Sequence, residues 1–370
     1  MASSFQDRIK SEASRLLQAG VTGNAFPGAV ASIGWREGDE LVFAEASAGK
    51  LSSELGAVST SAFYDLASLT KPFVAMAVLR LVEANKISLE TRADRMLPDV
   101  RGGVGGEATL EQLLSHRAKL SSWGGLFLDV PHDVGSPAAR RWILSEASRR
   151  RHEGPETVVY SDLGYLIGGE AVARHVGKSL DIVVKEEITD PIGISSDVFF
   201  PAALTPDKRA QIVSNSAPTE WCEWRGRMIR GEVHDENSAA FGGVAGHAGL
   251  FGTARGVARF GRAILESLAG RGDFLSKESI EGSLADRGDG NTYRFGWEMK
   301  SAQGSSAGKR MSAQSFGHLG FTGTSLWCDP NNDVVVALLS NRVHPSRANE
   351  KIKGFRPAFH DGMLAVLNKS

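Results

Sequence analysis

Ser68-Leu69-Thr70-Lys71-Pro72 sets a hydroxyl and an amine three residues apart, just where a long apolar run begins. Residues at that spacing share a helix face, so the Lys71 amine is predicted to reach the Ser68 hydroxyl and, when neutral, to take its proton. Two effects favour the neutral amine: the partial positive charge of a helix N-terminus and the desolvation of a partly buried site, both of which lower a lysine pKa. The same helix end leaves backbone N–H groups unpaired beside the serine, half of an oxyanion hole. Residues 70–84 are apolar on nearly every side, as in a helix buried in mid-fold, and Pro72 falls in the first turn, where proline is tolerated.

Outward from that helix, Phe5, Ile9, Ala13, Leu16 and Leu17 recur at helical spacing before Gly20 and predict an amphipathic opening helix. Residues 28–35 and 41–48, joined by Glu37-Gly38-Asp39, read as a strand hairpin. From about residue 87 to 290 the pattern is mostly helical, with a capping-box sequence at Thr109-Leu110-Glu111-Gln112. Strand signals return at 293–300, 324–329 and 333–340, with Pro330-Asn331-Asn332 as the last turn, and a closing helix is predicted over 357–367. Strands and a helix at both ends around a helical insert predict an α/β (α+β) fold. A discontinuous sheet domain would comprise residues 1–86 and 291–370, a mostly helical domain 87–290, with the active site in the cleft between them.

Composition narrows the function classes. Of 370 residues, 42% are hydrophobic and 23% charged, as in ordinary globular proteins. Forty-two basic against 43 acidic residues leave a net charge of −1, so no global field draws in nucleic acid or an anionic membrane. The run Arg149-Arg150-Arg151-His152 is short enough to be a solvated helix end. Cys222 and Cys328, far apart, form neither a disulfide framework nor a metal cluster. The N-terminus lacks a basic start followed by an apolar core, and no span approaches a membrane helix. A cytoplasmic protein is expected, or a periplasmic one if a leader has been removed.

Two further elements carry chemistry. Tyr160-Ser161-Asp162 follows Gly154-Pro155 and precedes a helical pattern, a loop-to-helix junction that can hold a phenol facing a cleft; alone, Tyr160 reads more simply as a packed aromatic. Gly317-His318-Leu319-Gly320-Phe321-Thr322-Gly323 leads into a strand, its glycines allowing close approach of backbone to a ligand and His318 able to donate or to titrate near neutral pH. The order of the three elements, with 92 residues from Ser68 to Tyr160 and 158 from Tyr160 to His318, resembles the serine β-lactamase and penicillin-binding-protein superfamily. The chain is most similar to the branch of class C β-lactamases and their esterase and D-aminopeptidase relatives. Leu113-Leu114-Ser115-His116 and residues 154–165, 242–253 and 317–341 share the likeness.

The resemblance implies a β-lactamase-like fold, an antiparallel sheet flanked by helices plus a mostly helical domain. It also implies roles: Ser68 as acylated nucleophile, Lys71 as its proton partner, Tyr160 sharing general-base duty and passing the proton to the leaving group, with His318 beside them. The backbone N–H groups of Ser68 and Phe321 would form the oxyanion hole. A cationic lysine beside Tyr160 is expected to lower the phenol pKa. Two positions depart from the β-lactamase pattern. The usual lysine-threonine-glycine triplet is His318-Leu319-Gly320, and the asparagine of the tyrosine motif is Asp162. Leu319 cannot donate to a substrate carboxylate, and His318 would be only partly charged at neutral pH. Arg342 and Arg347 could replace that anion contact, although solvated arginines are the simpler reading.

Rival motifs are weaker. Gly304-Ser305-Ser306-Ala307-Gly308 fits a nucleophile elbow but lacks the strand before it and the helix after it. His234, Asp235 and His247 suggest a metal without a matching ligand set, while His247 is a candidate for the cleft wall. The expected function is therefore hydrolysis of a small-molecule ester or amide through an acyl-enzyme, esterase-like in the first instance, with no metal or cofactor and no nucleic-acid or membrane partner. β-Lactamase or D-alanyl peptidase activity is the enzymatic alternative, and a slowly deacylating penicillin-binding sensor is the non-enzymatic one.

Overall fold

The computed structural model describes residues 4–367. Strands β1 (Gly28–Glu37) and β2 (Glu40–Gly49) form the predicted hairpin. Short strands follow: β3 (Tyr64–Asp65), β4 (Val198–Phe199), β5 (Pro218–Cys222), β6 (Arg227–Arg230) and β7 (Phe251–Gly252). The last four are β8 (Glu298–Met299), β9 (Phe316–Leu319), β10 (Ser325–Asp329) and β11 (Val334–Ser340). The main sheet is antiparallel with order β2-β1-β11-β10-β9-β8, so the two ends of the chain meet where Ala29 faces Ser340 and Gly34 faces Val335.

Both faces of this sheet are covered, which is why β11 reads as an unbroken apolar run. Side chains alternate between two cores. Ala29, Ala31, Ile33, Val334, Val336 and Leu338 point to the face under the helices Phe5–Thr22 and Ile352–Leu367. Val30, Val335, Ala337 and Leu339 join the larger core, which also holds the helices Thr70–Glu83 and Ala254–Leu268. There Phe73 stacks on Phe260 at 3.8 Å between centroids. The helix Ala254–Leu268 crosses β1, β10 and β11 although it comes from the middle of the sequence.

Three features differ from the sequence expectation. The closing helix starts at Ile352, not 357, because buried Ile352 and Arg356 anchor a first turn ahead of Pro357, whose fixed φ suits a helix despite the missing N–H. The strand expected over 293–300 shrinks to Glu298–Met299. The mostly helical middle segment also supplies strands: β4 and β7 join β3 in one small sheet and β5–β6 form another, most of them too short for a two-residue period to register. The first of these matters for chemistry, since β3 ends three residues before Ser68 and is fixed by Tyr64 facing Gly252 and Asp65 facing Phe251. Among the described residues no helix is long and apolar enough to cross a membrane.

Candidate active site

Ser68 sits on a single 3-10 turn, Ala67–Leu69, that runs straight into the helix Thr70–Glu83. Ala67 has φ +46°, a left-handed conformation that a non-glycine residue adopts only when its surroundings impose it. Asp65 imposes it. One carboxylate oxygen accepts the Ala67 N–H at 2.8 Å, in an Asx-type turn, and the other accepts the His234 N–H at 2.6 Å. Burial raises the Asp65 carboxyl to about 7 against the pull of those two N–H groups. Thr322 and Thr324 hydroxyls bond the Asp65 and Leu66 carbonyls, tying the same turn to the loop after β9.

Lys71, fully buried, lies one helical turn on. Its Nζ is 2.8 Å from Ser68 Oγ, 2.7 Å from Asp162 Oδ1 and 3.3 Å from the His247 carbonyl, three acceptors for three donor positions. Burial drives the Lys71 pKa down, and the Asp162 carboxylate opposes it without reversing the direction. The predicted Ser68–Lys71 contact is thus present. The departure at Asp162 acquires a partner that the sequence did not suggest: its carboxylate is spent on the lysine.

Tyr160 comes from the far side. His116, with φ +65° just past the helix Leu110–Leu114, accepts the Ser161 N–H on Nδ1 at 3.0 Å, and its carbonyl accepts the Val159 N–H at 3.0 Å. That helix has the predicted capping box, with Thr109 and Gln112 each bonding the other's backbone. Ser161 caps the helix Asp162–Val176. So held, the Tyr160 ring lies 4.6 Å from His116, 5.4 Å from Tyr293 and 6.0 Å from His318, with Lys71 Nζ 4.8 Å from its centroid. The expected lowering of its pKa is overturned. Burial, and then the negative charge of Asp162, push the phenol well above its ordinary value, and the hydrogen bond with Ser68 only moderates this.

His318, on β9 itself, also differs from expectation. Burial and the neighbouring Lys71 bring it to about 3, so it is neutral near pH 7. Its Nδ1 donates to the Leu319 carbonyl at 2.8 Å, leaving Nε2 as an acceptor. Gly320 follows because a Cβ there would collide with Thr324 and the Leu66 carbonyl. Phe321, 48% exposed, projects over the cleft, and its N–H makes no hydrogen bond among the described residues.

Ser68, Tyr160 and Phe321 line one cleft of about 590 Å³. The other candidate residues differ in what they bond. Asp162, Leu319, Gly320 and His247 line it, and His247 donates from Nε2 to Asp235 at 2.8 Å. Burial would raise the Asp235 carboxyl, but His247 and the Ser238 N–H hold it at about 2. Arg342 and Arg347 line the cleft too, yet Arg342 bonds the carbonyls of Phe321, Arg347 and Asn349, while Arg347 pairs with Glu220 and Glu236. Arg347 therefore brings no unbalanced charge. Sequence reasoning missed Arg356, whose buried guanidinium bonds the Gly320 and Thr324 carbonyls at 2.9 and 2.7 Å and has no carboxylate partner among the described residues. It also missed Asp65, and it weighed His234 only as a metal ligand. Asp65 left a faint signal, an aspartate two residues before a turn. Among the described residues no cluster of His, Cys, Asp or Glu is placed to hold a metal ion.

Comparison with known proteins shows the family and the fold. The sequence model of the family described as Beta-lactamase matches residues 13–355. A putative D-alanyl-D-alanine carboxypeptidase of Escherichia coli (strain K12) is 27% identical over 312 residues, covering 77% of this chain and 70% of that protein. Among solved structures, the D-amino acid amidase from Ochrobactrum anthropi SV3 superposes with a TM-score of 0.71 at 18% identity, covering 98% and 99% of the two chains. EstCE1, a hydrolase with promiscuous acyltransferase activity, gives 0.69 at 17% identity, covering 95% and 99%.

Proposed function

We propose that this chain, which belongs to the Beta-lactamase family and is a serine hydrolase, uses Ser68 to open ester carbonyls through an acyl-enzyme. The observation that carries this reading is Lys71 Nζ at 2.8 Å from Ser68 Oγ with the Tyr160 ring against the same nitrogen. In the neutral-amine form Lys71 takes the Ser68 proton as Oγ bonds to the carbonyl carbon. Tyr160, kept protonated at rest, gives its proton to the departing oxygen and is refilled from the Lys71 ammonium. The oxyanion is met by the N–H groups of Ser68 and Phe321. Water then releases the acid by the reverse relay. Ester substrates fit best because Leu319 offers no donor for a substrate carboxylate, and the cleft mouth carries the exposed rings of Trp123 and Phe321.

A second reading is amide cleavage, of D-amino acid amides or D-alanyl peptides, and its D-alanyl form is favoured by Arg356, a cleft-lining cation without a carboxylate partner among the described residues that suits a terminal carboxylate. Mixing the protein with p-nitrophenyl acetate, p-nitrophenyl butyrate, nitrocefin and a D-amino acid amide separates the cases. Continuous ester turnover is expected. A single stoichiometric burst would instead identify a slowly deacylating sensor, and inert esters beside a cleaved amide would select the second reading.

Asp162 tunes the relay, and the sign of its effect is fixed. Its negative charge raises the pKa of both Lys71 and Tyr160, and the active form needs Lys71 neutral. Asp162→Asn is therefore expected to move the acidic limb of the kcat/KM profile to lower pH by about one unit or more. A pH series on p-nitrophenyl butyrate reads this directly, and a limb that stays or rises contradicts the Lys71 assignment.

A further inference from the structure

Arg356 is buried, with 6% of its surface exposed, and its Nε has no hydrogen-bond partner among the described residues. Burial and then Arg342 lower its pKa to about 9, so it stays a cation near neutral pH. A guanidinium enclosed without a carboxylate is costly, and what this one holds is a turn. Nη2 donates to the Gly320 carbonyl at 2.9 Å and to the Thr324 carbonyl at 2.7 Å, the two ends of Gly320-Phe321-Thr322-Gly323-Thr324. Within the turn the Gly323 N–H reaches the Gly320 carbonyl at 3.1 Å, and the Gly320 N–H reaches the Thr324 carbonyl at 2.8 Å.

The Gly320 carbonyl belongs to the same peptide unit as the Phe321 N–H. In a trans peptide the two point in opposite directions, so a cation that holds the carbonyl decides where the N–H is aimed. Gly320 does not decide it, since a residue without a Cβ leaves the peptide free to turn over. A flipped peptide would offer the oxyanion a carbonyl oxygen in place of a donor. The rest of the turn is tied down as well: Arg342 Nε takes the Phe321 carbonyl and the Ser340 hydroxyl takes the Gly323 carbonyl, both at 2.9 Å. Thr322 and Thr324 bond the Asp65 and Leu66 carbonyls beside the nucleophile, so both N–H groups of the hole share one frame. A charged donor on the carbonyl also polarises the amide, which strengthens the N–H at its other end.

We infer that Arg356 is a positioning residue of the oxyanion hole, whose guanidinium, acting through the Gly320 carbonyl, aims and strengthens the Phe321 N–H toward the negative oxygen formed on the scissile carbonyl. This rests on the reading of Ser68 as the acylated nucleophile. The test uses p-nitrophenyl butyrate, which has no carboxylate for the guanidinium to bind, on wild-type protein, Arg356→Met and Arg356→Lys. Acylation and deacylation both pass through an oxyanion, so Arg356→Met should lower kcat by about 10- to 100-fold while KM stays within twofold. Inhibition by propylboronic acid, which adds to a serine as a tetrahedral adduct and also lacks a carboxylate, should weaken by a similar factor. Arg356→Lys, which keeps a charged donor, should recover part of both. Should Arg356→Met fail to fold, Arg356→Gln, which loses the charge, serves for the same two readings. Loss of folded protein lowers kcat but does not move an inhibition constant, and a cation reserved for substrate carboxylates would move neither. An inhibition constant that the neutral variant leaves within twofold therefore overturns the inference while the hydrolase reading stands. Failure of wild-type protein to cleave p-nitrophenyl butyrate overturns the ester reading itself and, with it, the inference that rests on it.

Discussion

Replacing Ser68 with alanine is expected to lower turnover of a p-nitrophenyl ester by about 10⁴-fold or more and to abolish the acyl adduct seen by intact-protein mass spectrometry. The size follows from the site. The two cysteines are buried away from the cleft, so the covalent route has no substitute among the thiols, and what survives is the contribution of oxyanion N–H groups and binding alone. The fold should tolerate the change. Ala67 keeps its bond to Asp65, and Lys71 retains Asp162 and the His247 carbonyl after losing the hydroxyl, a deficit of about 1 kcal/mol for one missing hydrogen bond. A Ser68→Ala protein that still gains the acyl mass would move the nucleophile elsewhere. Ser122, which also lines the cleft, is then the first residue to replace.

How much of this was readable before the structure depends on the range of each interaction. The Ser68–Lys71 contact is local, three residues on one helix, and so spacing alone predicts it. The hairpin of β1 and β2 and the buried helix Thr70–Glu83 follow from periodicity for the same reason. Tyr160 and His318 are brought to Lys71 by topology, and only the likeness of whole segments to a known superfamily pointed to them. Asp65 and His234 are 169 residues apart in sequence; neither belongs to a periodic pattern, and their bond exists only once β3 has been laid against β7. Protonation was the least legible property. The sequence shows a lysine near a tyrosine and suggests a lowered phenol pKa, but the enclosure by His116, Tyr293 and His318 outweighs that charge, and Asp162 cancels part of it. Desolvation is a property of the packed site.

Lys71→Met is expected to reduce kcat/KM by about 10³-fold or more, the loss that its proposed role as general base to Ser68 entails. A structural lysine could be mistaken for a catalytic one here, because its removal leaves the Asp162 carboxylate, 19% exposed, facing a thioether without its ion-pair partner. The double variant Lys71→Met/Asp162→Asn separates the two roles. Removing the stranded charge should raise the melting temperature above that of the single variant, since breaking a buried pair costs more than replacing both members by neutral groups. Activity should not return with it. Lys71 Nζ lies 2.8 Å from Ser68 Oγ, and a methionine cannot accept the proton whether or not the carboxylate is present. Melting curves and ester kinetics on the same two preparations decide the matter: recovery of both stability and turnover to within tenfold of wild type would reduce Lys71 to a counter-ion and transfer the base function to Tyr160, whereas stability without turnover assigns the proton to the lysine.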